Sequence, residues 1–299
     1  MRGIEAYRAY REKKRSMLTQ PPFPNARTPN PFSSEEAERI IRFLVWKQSA
    51  LSTAYKAFDQ GRDLHTGTRT NGEPAFSHQV AMAIFFLDLH DRLCAEHGAG
   101  AILSPEQLNY ILSVIFLHDS YEDGLIRDAS GRVVSHDCLV DMYGKDIGDG
   151  IFYISKIRYH DDGTKTKLDW KRYSSFMLYG GETPAPVRAS LALLAFVKGI
   201  DRLHNLSCCF HDMRQDLIMR VEPKYWTAKR VRSYEEETTL CHIPMLTTLL
   251  ERLNADSSGE NDFKIIALYV SDVLARLKDL TAGIQSALFY AHEKPKQEQ

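Results

Sequence analysis

Apolar residues along this chain recur at three- and four-residue spacing, and they never alternate over the length of a strand. That pattern predicts an all-α, multi-helix bundle. A first amphipathic helix is expected over about residues 3–18, followed by PPFPNARTPNPF (21–32), a stiff spacer that cannot be helical. Ser33 and Glu36 form a capping-box pair that opens a long helix to about Phe58. The segment DQGRDLHTGTRTNGEP then reads as a loop. A helix from Ser77 to about His97 ends at Gly98 and Gly100, and Ser104-Pro105 starts another through LNYILSVIFLHDSYED. Shorter helices follow, one capped by Ser135 and reaching Tyr143 and one over about 145–157. Residues 158–186, polar and ending in GGETPAP, read as an inserted excursion holding one helix. The run VRASLALLAFVKGIDRLHNLSCCF predicts a second central helix, and two more cover roughly 232–253 and 262–290. The expected organisation is an N-terminal helix and proline-rich arm (1–32), one helical domain (33–290) and a polar tail (291–299).

Composition narrows the function classes. The chain has 299 residues with 38 basic and 39 acidic side chains, a net charge of −1, which excludes a dedicated nucleic-acid binder relying on basic excess. A hydrophobic share of 43 % excludes a disordered chain. No run of about 18 apolar residues is present, so no membrane span is expected. The basic N-terminus lacks the apolar stretch of a secretory signal. Five scattered cysteines without a C-x-x-C argue against a disulfide framework or structural zinc site, and the expectation is a reduced, cytoplasmic protein.

The informative chemistry lies where two apolar helices end. In FLHDSYEDG, His118 and Glu122 are four residues apart, as are Asp119 and Asp123, so these groups crowd one helical turn. Carboxylates ending so hydrophobic a helix need a counter-charge, and a divalent cation is the simplest. The second helix offers Asp201, Arg202, His204 and Asn205 in GIDRLHNL, with Asp201 and Asn205 facing the same way. Imidazoles mixed with carboxylates suit Mn²⁺, Fe²⁺ or Zn²⁺ better than Ca²⁺ or Mg²⁺. A buried ion-pair network, for instance Arg202 with Asp119, is the purely structural alternative.

The dipeptide His-Asp alone proves nothing, because it occurs five times where composition predicts roughly one. His136-Asp137 follows an N-cap, and His160-Asp161 lies in a polar loop. His90-Asp91 and His211-Asp212 are expected at helix ends, where a histidine meets free carbonyls. Only His118-Asp119 joins a buried helix to further acids one turn on.

Three pieces in order, R-T-N-G-E-P-A-F-S-H (69–78), H-D-S-Y-E-D (118–123) and D-R-L-H-N (201–205), resemble the hydrolase domain of the RelA/SpoT proteins, members of the HD superfamily that degrade the alarmone (p)ppGpp. Y-E-E-E-T-T-L (234–240) resembles a downstream helix of that domain. The resemblance spans about residues 45–250. It implies an HD-type helical bundle in which His78, His118, Asp119 and Asp201 hold manganese between central helices. It implies that Glu122 and Asp123 position or activate the attacking water. It also implies that Arg69 and Asn205 contact a guanosine nucleotide while Arg202 and His204 support the site. The chain departs from the family with Gly124 in place of a threonine, with Thr70 and Asn71 after the arginine, and with Cys208 at another threonine position.

The resemblance implies metal-dependent hydrolysis of the 3′-diphosphate of a (p)ppGpp-type nucleotide, with release of pyrophosphate. Two alternatives stay open. One is an HD phosphohydrolase of another nucleotide, such as an adenosine alarmone or a deoxynucleotide. The other is an antitoxin-like protein that neutralises a toxic alarmone synthetase partner.

Overall fold

A computed structural model describes residues 51–67, 74–181, 186, 188–219, 227–255 and 261–293. The expected helix at 3–18, the proline-rich arm, the Ser33 cap, Arg69 and the polar tail lie outside the described residues. Among the described residues the protein is predominantly helical. The helices are α1 (Ser52–Leu64), α2 (Ser77–His97), α3 (Pro105–Glu122), α4 (His136–Tyr143), α5 (Lys145–Ile154), α6 (Trp170–Tyr179), α7 (Ala189–Met219), α8 (Ala228–Glu237), α9 (Ile243–Ala255) and α10 (Asn261–Glu293). No described helix is long and apolar enough to cross a membrane.

Local chemistry explains the best-placed boundaries. Ser104 Oγ accepts from Gln107 N at 3.2 Å while Gln107 Oε1 accepts from Ser104 N at 2.8 Å, and Pro105 opens the first turn of α3. Gly98, at φ 60°, ends α2 in a backbone region that costs other residues strain. Helix α3 is buried all round from Tyr110 to His118, so it is the hub of the bundle. Helix α1 crosses it closely because position 61 is glycine; a Cβ there would lie 2.4 Å from the Phe116 carbonyl oxygen. Helices α2, α3 and α7 pack on one another pairwise, and α10 covers α7.

Several expectations need correction. Helix α1 continues to Leu64, six residues beyond Phe58, because Phe58 and Gly61 are packed against α3 rather than at an exposed end. The helix expected over 145–157 stops at Ile154, and a two-stranded antiparallel hairpin follows, pairing Ile157–Tyr159 (β1) with Lys165–Lys167 (β2). Its three-residue strands are too short to leave a period in the sequence. The segment 158–186, expected to hold one helix, does so in α6, and it is partly buried. Tyr173 and Met177 are fully buried, and Tyr173 Oη donates to the Ile154 carbonyl at 2.6 Å, so this segment packs as a wall beside α7. The helix expected from 232 starts at Ala228 on a Thr227 cap and joins α9 through one π-helical turn, Thr238–His242. His90 sits inside α2 and bonds Tyr269 Oη through Nδ1 at 2.5 Å, and His211 lies inside α7, so neither ends a helix.

Candidate metal centre

The three packed helices each bring polar groups to one place. His78 comes from the first turn of α2, His118 and Asp119 from the last turn of α3, and Asp201 from the middle of α7. His78, His118 and Asp119 offer ligand atoms within 4.8 Å of one another. Asp201 joins through His78, whose Nε2 lies 3.1 Å from Asp201 Oδ1 and 3.7 Å from Asp119 Oδ2. His78, His118 and Asp201 are buried, and Asp119 is about a third exposed, with 32 % of its side chain accessible.

His118 carries the clearest chemical signal. Its Nδ1 is 2.9 Å from the Ile115 carbonyl, which assigns the ring proton to Nδ1 and turns the Nε2 lone pair inward. Nε2 is 3.0 Å from Asp119 Oδ1 but out of hydrogen-bonding alignment, so this buried atom has no hydrogen-bond partner. A buried ring nitrogen beside a carboxylate needs either a proton or a cation, and two imidazoles with a carboxylate could hold a divalent cation. Burial opposes a charged His118, yet the adjoining Asp119 outweighs it and raises the pKa to about 9, so with no cation Nε2 takes up a proton facing Asp119 and a bound cation would replace that proton. Burial likewise opposes ionised Asp119 and Asp201. The first is nonetheless held below the usual carboxylate range by His118, and the second well below it by Lys198 and His78.

Neighbouring side chains fix these groups. Gln79 Nε2 donates to Asp119 Oδ2 at 3.0 Å, and Asn205 Nδ2 donates to Asp201 Oδ1 at 2.7 Å. His204 Nδ1 meets His78 Nδ1 at 2.8 Å, so one of the two rings donates to the other. Lys198 Nζ pairs with Asp201 Oδ2 at 2.7 Å. Asn205, expected to touch the nucleotide, therefore spends its amide on Asp201. Arg202 does not pair with Asp119: its Nη2 pairs with Glu237 Oε1 at 2.9 Å, and its guanidinium stacks 4.8 Å from the Tyr234 ring.

The acids beyond the cluster diverge in environment. Glu122 Oε2 accepts from Lys156 N at 3.4 Å. Asp123 is the C-terminal cap of α3; partial burial of its carboxyl, then the charges of Asp119 and Glu122, push its pKa up to about 6. Gly124 follows at φ 68°, where a Cβ would lie 2.9 Å from Tyr159 Oη. That close approach explains the glycine where the resembling family has threonine.

A cationic wall stands beside the cluster. Lys156 Nζ lies 3.0 Å from the Trp170 ring centre and shares Glu237 Oε1 with Arg202, at 2.5 Å. Burial lowers its pKa to about 8 despite Glu237. On the far side of His204 is a mainly apolar cavity of about 710 Å³ between α2, α7 and α10. Its arginines, Arg92 and Arg276, are already paired with Asp272.

No family model, curated protein or solved structure matches the chain. The geometry alone therefore bears on the sequence reading. It brings His78, His118, Asp119 and Asp201 together, with His204 and Asn205 bonded to two of them and Glu122 and Asp123 one turn along. Arg202 is turned away. Sequence reasoning missed Lys198, Gln79 and Lys156. Lys198 had a usable signal, since it lies three residues before Asp201 on one helix face. Lys156 had none, because its place depends on the hairpin and α6.

Proposed function

We propose that the protein is a metal-dependent phosphohydrolase of nucleotides bearing a 3′-diphosphate, of the RelA/SpoT type. One observation carries this reading: a largely buried His–His–Asp cluster, His78 from one helix and His118 and Asp119 from another, in which His118 Nε2 has no hydrogen-bond partner. His78, His118, Asp119 and Asp201 would hold the ion, manganese or another divalent transition metal. When bound, such an ion supplies Lewis-acid charge to the reacting phosphoryl group and acidifies water.

The protein's own groups do the rest. Glu122 and Asp123 lie one turn from the cluster, where either can accept the proton of an attacking water. The water oxygen bonds to the phosphorus attached at the 3′ position, the bond from that phosphorus to the 3′ oxygen breaks, and pyrophosphate leaves as the 3′ oxygen gains a proton. The Lys156 backbone N–H donates to Glu122 Oε2 and so helps fix that carboxylate, while the Lys156 ammonium is held by Glu237. Arg69 would grip the nucleotide, since a guanidinium can both clamp phosphate and stack on a purine. On this reading the protein would act in the cytoplasm.

The test is product analysis over guanosine and adenosine 3′-diphosphates and deoxynucleotides, with and without Mn²⁺. Manganese-dependent pyrophosphate release from a 3′-diphosphate is expected. Hydrolysis confined to deoxynucleotides would reassign the substrate, and no hydrolysis of any panel member would overturn the reading.

A further inference from the structure

Resting on the metal reading above, we infer that Lys198 is a positioning residue that confines Asp201 to a single ligand oxygen and thereby holds metal affinity down. Lys198 is 7 % exposed and its ammonium pairs with Asp201 Oδ2 at 2.7 Å. The other oxygen, Oδ1, faces the cluster; it lies 3.1 Å from His78 Nε2 and accepts from Asn205 Nδ2 at 2.7 Å. One edge of the carboxylate is thus occupied by a fixed cation and the other faces the candidate ligands. A carboxylate held this way cannot turn both oxygens toward a cation without breaking the lysine pair.

The placement is built in two ways. Lys198 and Asp201 are three residues apart on α7, so the pair is set by helix geometry before any metal arrives. The ammonium nitrogen lies 6.0 Å from the ring centre of fully buried Tyr173, which comes from α6. The 2.7 Å pair thus sets an ammonium directly behind a metal-facing carboxylate. Such a charge repels a bound cation and limits the donor atoms Asp201 can give it. Both effects weaken binding and keep coordination positions open for water and phosphate oxygens.

An ordinary structural lysine makes the opposite prediction. If Lys198 only braces the fold, its loss disorders the cluster and metal binds more weakly. If it restrains Asp201, its loss lets metal bind more tightly. Two unit charges about 6 Å apart at an effective dielectric near 20 interact strongly enough that removing one shifts affinity by about tenfold or more.

The experiment measures Mn²⁺ affinity and the visible spectrum of the Co²⁺-substituted protein for wild type, Lys198→Met, Lys198→Gln and Lys198→Arg, at mildly alkaline pH so that protons compete little. Lys198→Met is expected to bind Mn²⁺ about tenfold more tightly, with a weaker Co²⁺ band that reports added ligand oxygen. Lys198→Gln, which keeps a donor but no charge, should also tighten Mn²⁺ binding while changing the Co²⁺ band less. Lys198→Arg should bind Mn²⁺ as wild type does. Unchanged or weaker Mn²⁺ binding by Lys198→Gln, or by Lys198→Met if it folds, overturns the role of Lys198 and leaves the metal reading standing. A wild-type protein that takes up neither Mn²⁺ nor Co²⁺ removes both.

Discussion

Two histidine–carboxylate arrangements in this protein look alike in sequence and differ in physics. His136 lies at the start of α4, where its Nε2 bonds Asp149 at 2.8 Å and its ring stacks 4.1 Å from Phe152. Lys145 balances the same carboxylate at 3.0 Å, and water reaches all three side chains. Nothing there is left unsatisfied. His118 is buried among apolar residues, its Nδ1 is used by the backbone, and its Nε2 has no hydrogen-bond partner beside three carboxylates on its own turn. A His–Asp pair is thus informative only through what surrounds it. Where solvent and a lysine complete the pair, it caps a surface; where burial leaves a ring nitrogen to a proton or a cation, it can serve as a ligand.

The sharpest way to break this contrast is to remove both imidazoles in turn. His118→Ala should lose stoichiometric Mn²⁺ and all turnover together, while His136→Ala keeps both; metal analysis after dialysis and the pyrophosphate assay report the outcome. Equal metal retention by the two variants would erase the distinction. Next in size is Glu122→Gln, expected to keep the ion but lower kcat by about 10²- to 10⁴-fold, as for loss of a general base. A near-normal kcat would transfer that role to Asp123.

Arg202→Met probes the wall rather than the centre. It removes one partner of a largely buried pair, so chemical denaturation should show a loss of about 3 kcal/mol, at the low end for such pairs because Lys156 still neutralises Glu237. Metal stoichiometry should not change. The wild-type protein should gain about 2.7 kcal/mol of stability when Mn²⁺ reaches a hundred times its dissociation constant, and chelation should reverse the gain. His118→Ala should show no such increment. The smallest effect is expected for His136→Asn, about 1 kcal/mol or less, since its contact with Asp149 is partly exposed and water replaces it.

The all-helical bundle was legible because its two central helices announce themselves: ILSVIFL and LALLAFV are apolar on every side, and Ser104-Pro105 marks a start that the structure reproduces. The last turn of α3 was equally legible, since His118, Asp119, Glu122 and Asp123 are local neighbours. His78 was not, because a histidine in the first turn of an ordinary helix carries no sign of what it faces. It entered only through a family resemblance, and its 3.1 Å approach to Asp201 spans 123 residues of chain.

The sequence by itself determined which segments are helical and where polar groups interrupt apolar ones, because propensity, capping and periodicity act within a few residues. Tertiary structure alone decided which polar groups meet. It set His78 between Asp119 and Asp201 and turned Arg202 to Glu237 instead of Asp119. It also folded the polar stretch after Ile154 into a hairpin and helix that wall the site with Lys156, Trp170 and Tyr173. Those choices depend on how α2, α3 and α7 pack on one another, and that packing joins residues far apart in sequence that no local pattern encodes.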